Sequence, residues 1–128
     1  FMKSLEHKDK DNDKLITILS LIEEHMKNNN RYLVGKWLKV GWEILNRDKN
    51  VNTDYYYHFL IYEELYIKGY LSKKTAFKGI KYFTRQGDLH NSHKYKIMLA
   101  DSLYKQGMYK LAAEIYKLAL ESNTHLKC

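Results

Sequence analysis

Few side chains in this sequence stand at spacings that could carry out chemistry. Asp88, His90 and His93 place one carboxylate and two imidazoles in a short stretch, the ligand types that bind zinc. They straddle a turn and a helix start, however, and read as a simple polar turn. Glu63 and Glu64 are adjacent, and neighbouring residues on a helix point in different directions, so they cannot share a proton or a substrate. Cys128 is the only cysteine. It has no fixed base beside it and no partner for an internal disulfide, so nothing points to an oxidising compartment. No glycine-rich phosphate loop occurs. These residues argue against an enzyme and call for no cofactor and no metal.

Charge carries a clearer pattern. Lysine and arginine outnumber the acids, giving a formal net charge of +7. Lys74, Lys78, Lys81 and Arg85 recur at helical spacing with no acid among them, so they share one helix face. Lys110, Glu114, Lys117 and Glu121 instead alternate in sign and neutralise one another. An unbroken basic face is either a solvated surface or a contact for nucleic acid or an acidic protein.

The elements that position these residues are predicted to be helices throughout. The 128 residues fit one domain with one core, and they contain no proline and twelve tyrosines. Residues 1–13 are almost all polar and read as a mobile tail, with Asp11 or Asp13 as helix cap. Phe1 reads as an addition ahead of a natural start at Met2. Apolar stripes then predict helices over 14–27 (Leu15, Ile18, Leu19, Ile22, Met26) and 31–45 (Val34, Trp37, Leu38, Trp42, Leu45). Asn28, Asn29 and Asn30 break the first and cap the second. A third helix begins near Thr53 or Asp54 and ends at Gly69; a fourth, capped by Ser72, ends at Gly87. A fifth covers 91–106 and stops at Gly107, and a sixth covers 109–122. Glycine just past a helix end accepts the left-handed conformation, and short links make successive helices antiparallel. No apolar run is long enough for a membrane span or a secretory signal, which makes the cytoplasm the default location.

The last two helices carry a further pattern. Leu99, Ala100, Leu103, Tyr104, Gly107, Tyr109, Ala112, Tyr116, Ala119 and Leu120 alternate small and large residues at the spacing of a helix-turn-helix repeat of about 34 residues. This segment resembles a tetratricopeptide repeat, although Lys96 stands where that family prefers tryptophan and Thr124 where it prefers proline. Ile61, Tyr62, Leu65 and Gly69 match more loosely in the middle pair, and the first pair matches only in helix length and turn. The resemblance implies an all-α, antiparallel helical repeat of six helices in three pairs. The alternative is an irregular six-helix bundle with one repeat-like hairpin. The tyrosine- and lysine-rich hairpins also resemble the peptide-sensing regions of Gram-positive regulators of the Rap and PlcR type. That likeness implies a regulatory role through a protein or peptide partner. The asparagines that grip peptide in that family have no clear counterpart, because those here lie mostly in turns.

In a tetratricopeptide stack the first helix of each pair lines a concave face. With Asn29, Gly69 and Gly107 as equivalent points, the inward positions are Leu19, Glu23 and Met26; Phe59, Glu63 and Tyr66; and Ile97, Asp101 and Tyr104. Each set reads apolar, acidic, then large and apolar, which implies a groove for a peptide with basic and apolar side chains. The same reading puts Lys74, Lys78, Lys81 and Arg85 on the convex side, with nucleic acid as the alternative partner. A repeat array also exposes its last helix unless a polar cap covers it. Ala112, Tyr116 and Ala119 are expected to face the fifth helix, leaving Leu111, Ile115 and Leu118 as an apolar stripe covered by a second copy of the chain or by the partner. A homodimer is therefore expected.

Overall fold

In the computed structural model, the backbone is described for residues 2–127 and the side chains for residues 10–121. The fold is all-α. Six helices occur among the described residues, with no strand: α1 (Met2–Lys27), α2 (Arg31–Arg47), α3 (Asp54–Lys68), α4 (Lys73–Arg85), α5 (Leu89–Lys105) and α6 (Tyr109–Lys127).

One kind of turn ends α1, α4 and α5. A residue in the left-handed region follows each helix: Asn29 (φ 56°), Gly87 (φ 74°) and Gly107 (φ 83°). That conformation folds the next two N–H groups back onto carbonyls of the last turn, which would otherwise lack partners. The N–H of Gly87 donates to the Thr84 carbonyl at 3.1 Å, and that of Asp88 to Phe83 at 2.8 Å. Gly107 and Met108 repeat the arrangement onto Tyr104 and Leu103, and Asn29 and Asn30 onto Met26 and His25. The final residue of the turn then starts the following helix. The side-chain oxygen of Asn30 accepts from the N–H of Leu33, and that of Asp88 from the N–H of Asn91. A reversal of three residues leaves the chain no course except back along the helix it has just left.

The chain divides into two compact units, residues 1–66 and 67–128. The division falls inside α3. In the first unit α1 packs along α2. Leu15, Ile18 and Ile22 of α1, Val34, Leu38 and Ile44 of α2, and Phe59 of α3 are buried. Phe59 reaches its place because Gly41 leaves room: a methyl group there would stand 2.3 Å from the Phe59 ring. Trp42 lies beside it, with ring centroids 6.2 Å apart.

Residues 1–13 were expected to form a mobile polar tail, but the backbone of residues 2–13 is helical. It belongs to α1, so neither Asp11 nor Asp13 caps a helix. Asp11 is fully buried and accepts a hydrogen bond from the Arg47 guanidinium at 3.1 Å. The side-chain oxygen of Asn12 accepts from the backbone N–H of Asn52 at 3.1 Å. The polar side chains fill hydrogen-bonding needs of α2 and the loop after it, more than thirty residues away, and apolar periodicity carries no trace of such a pairing.

In the second unit α4 packs on α5 and α5 on α6. Phe83 and Tyr95 are fully buried, and their rings meet at a tilt of 33° with centroids 5.8 Å apart. Leu99, Ala100 and Leu103 of α5 and Ala112, Ile115 and Ala119 of α6 are buried. Two buried serines tie backbone and side chains together. Ser102 accepts from the N–H of Leu71 at 3.0 Å, and Ser92 shares a hydrogen bond of 2.8 Å with Thr84.

Two glycines of α2 test this packing. Gly41→Ala gains helix propensity but forces the buried Phe59 ring to move, for an expected net destabilisation of about 1–3 kcal/mol. A methyl at Gly35 would meet the hydroxyl end of Tyr66, which is only half-buried and can swing aside. Gly35→Ala is therefore expected to cost less than about 1 kcal/mol. Urea denaturation of both variants measures the difference, and equal midpoints would refute the close approach at Gly41.

Candidate functional site

The residues expected to line one groove meet different fates. In the first unit Phe59 is wholly buried and offers no contact surface. Tyr66 is held by α2: the Arg31 guanidinium donates to its carbonyl oxygen at 2.6 Å and lies 4.3 Å from the centre of its ring. Glu23 and Glu63 are half-buried. Helical register alone places Phe59 and Tyr66 on the concave face, and register cannot show that Gly35 and Gly41 admit their rings against α2.

In the second unit the expected residues do share a surface. Ile97, Asp101 and Tyr104 succeed one another along α5, with Ile97 half-buried and the other two exposed. The α5–α6 turn adds aromatic area beside them. Tyr104 and Tyr109 are 58% and 62% exposed and meet edge to face with centroids 5.1 Å apart. Met108, between the two helices, is also exposed. Asp101 is not a bare carboxylate. The Tyr116 hydroxyl of α6 donates a short hydrogen bond to it. That hydrogen bond holds the Tyr116 phenol above its ordinary pKa, with burial, the Asp101 charge and Tyr104 acting in the same direction. Tyr116 and Met108 were not among the site residues read from the sequence. Tyr116 lies fifteen residues beyond Asp101, and only the α5–α6 reversal joins them.

The last helix corrects another expectation. Ile115 is buried with Ala112 and Ala119, Leu111 is half-buried, and Leu118 is exposed. The stripe expected to need a second copy is thus interrupted in the middle by a residue that its own unit covers. Among the described residues, the exposed large aliphatic side chains of α6 are Leu118 and Leu120. Tyr116, expected to face α5, does so through its hydroxyl on Asp101; Ile115, expected on the open side, is instead buried with Ala112 and Ala119.

Asp88, His90 and His93 do not gather. Asp88 caps α5 and also accepts from the Asn91 side chain, His90 is exposed, and His93 uses Nδ1 toward the Ala119 carbonyl at 3.0 Å. Among the described residues no cluster of three metal-binding side chains exists. Cys128 lies outside them. None of their helices is long and apolar enough to cross a membrane.

Lys74, Lys78, Lys81 and Arg85 are all exposed on α4, as their spacing implied. Opposite them Ala76, Gly79, Ile80 and Phe83 are buried. Phe77 lies half-buried in an open groove beside Lys74, Lys78 and Lys81.

Comparison with known proteins finds no matching family model, no matching curated protein and no matching solved structure.

The raised pKa of Tyr116 has a signed consequence. Its protonated form is favoured by folding, so the contribution to stability is present below the free-phenol value of 10.0 and is lost as pH rises through the folded pKa. Asp101→Asn removes the charged acceptor, and the Tyr116 midpoint is expected to fall back toward the free-phenol value. NMR titration of ring-labelled tyrosine, with Tyr116→Phe to assign the resonance, measures it. An unchanged midpoint would show that Asp101 does not govern this phenol.

Proposed function

We propose that the chain is a non-enzymatic, regulatory protein- or peptide-binding module, and that it takes its partner on the tyrosine-rich surface of α5 and α6. The observation that carries this reading is the grouping of Tyr104, Met108 and Tyr109 in solvent beside the Asp101–Tyr116 pair. Tyrosine and methionine are enriched in protein interfaces, where large rigid rings bury area at small cost in conformational entropy. Tyr104 and Tyr109 already hold one another edge to face, so less freedom is lost on binding. Asp101 retains acceptor capacity beyond its bond to Tyr116 and suits a donor or basic group on the partner. The partner chemistry is therefore a peptide segment with apolar side chains for the rings and a cationic or amide group for Asp101.

This reading narrows the groove inferred from repeat register. It uses Ile97, Asp101 and Tyr104 and relinquishes Phe59 and Tyr66. The resemblance to peptide-sensing helical repeats points the same way. A homodimer is no part of it, because its supposed stripe is broken at the buried Ile115.

Selection of a random peptide library on the full chain provides ligands for the test. Enriched peptides are expected to carry aromatic or aliphatic residues near a basic one. Tyr104→Ala with Tyr109→Ala should weaken them by at least about tenfold, since interface anchors cost more than about 1 kcal/mol each when truncated. Both rings are more than half exposed, so circular dichroism and the thermal midpoint should stay unchanged. A folded double variant that binds the same peptides with wild-type affinity would overturn the assignment.

A further inference from the structure

The basic face of α4 stands apart from that surface and shares no residue with it. Over the span from Lys74 to Arg85, a rise of about 16 Å, four cations fall within an arc of about 60°. The helix contains no acid. Among the described residues none of the four has a carboxylate within ion-pairing distance, whereas Asp11 and Arg47 do pair. Four like charges held in line on a rigid helix, in a chain of net charge +7, form a concentrated positive field.

The makeup of this face discriminates among anionic partners. Insertion of α4 into a membrane interface would require its apolar side to enter lipid, but Ala76, Gly79, Ile80 and Phe83 are buried in the fold. Lysine is depleted in protein–protein interfaces, and three of the four cations here are lysines. Nucleic-acid interfaces are the class in which such a density of positive charge is ordinary, because a polymer of phosphates releases counterions along its whole length. We propose that the exposed face of α4 docks the phosphate backbone of a nucleic acid through Lys74, Lys78, Lys81 and Arg85. Three of the four cations are lysine ammonium groups, point charges without the planar fork of a base-reading guanidinium, so the contact is largely indifferent to base sequence.

Fluorescence anisotropy of the full chain with labelled mixed-sequence duplex DNA of about 20 base pairs tests this, salt being the decisive variable. Four phosphate contacts give a slope of affinity against salt of about −3.6 on logarithmic axes, a loss of about 100-fold between roughly 50 and 200 mM. Two unrelated duplexes should bind within about twofold of each other. Lys78→Gln with Lys81→Gln should reduce the slope by about two and weaken binding at low salt by at least about tenfold. Lys74→Gln with Arg85→Gln provides a second variant should the first lose helicity. Absence of binding near 50 mM salt would overturn the proposal, as would wild-type affinity in both folded variants. Polyglutamate or anionic vesicles competing as well as DNA, mole for mole of charge, would assign the face to an acidic protein or a lipid surface and overturn it likewise. Loss of this binding would leave peptide recognition by Tyr104 and Tyr109 untouched, so the two readings fail separately.

Discussion

A helix that reverses direction within three residues must satisfy its last carbonyls and the next helix's first N–H groups with almost no chain to do it. This molecule meets that demand with a residue in the left-handed region followed by one that belongs to both helices. At Asn29–Asn30, Gly87–Asp88 and Gly107–Met108 the backbone N–H groups close the old helix while the second residue begins the new one. Asparagine and aspartate add a side-chain acceptor at two of these junctions. Once the turns are set, α1 with α2, α4 with α5 and α5 with α6 have no arrangement open to them except side by side.

Apolar burial then selects faces, and small residues decide how closely the faces approach. Gly41 admits Phe59 against α2, while Ala100, Ala112 and Ala119 are buried where α5 and α6 pack. Polar groups complete the packing where apolar contact cannot. Asp11 receives Arg47, Ser102 receives the N–H of Leu71, and His93 meets the Ala119 carbonyl. Each joins parts of a unit distant in sequence, and each satisfies a group that would be costly to leave unpaired in a buried or half-buried place.

The surface that remains separates by chemistry. The α5–α6 turn presents tyrosine and methionine around one engaged carboxylate, whereas the outer face of α4 presents a row of cations and no acid. Rings with a polar edge gain by being covered, because their apolar bodies leave water while the hydroxyls keep a partner. Lysine ammonium groups lose hydration when covered and gain only where many opposing charges face them.

The local signals were legible in the sequence because they act over one or two turns of chain. Left-handed residues at Asn29, Gly69, Gly87 and Gly107, the cap at Ser72, the all-helical class and the basic face of α4 all depend on neighbours within a few positions. What lay beyond the sequence were pairings across long separations. The polarity of residues 10–13 concealed that Asp11 and Asn12 complete α2 and its following loop. Helical register put Phe59 and Tyr66 on an open face, but two glycines of α2 make room for them there. Helical register put Ile115 on the open side of α6 with Leu111 and Leu118, but it is buried with Ala112 and Ala119, while Tyr116 meets α5 at Asp101. Periodicity reports that a helix has two faces; which polar group finds a partner across the fold is settled only when the distant residues meet.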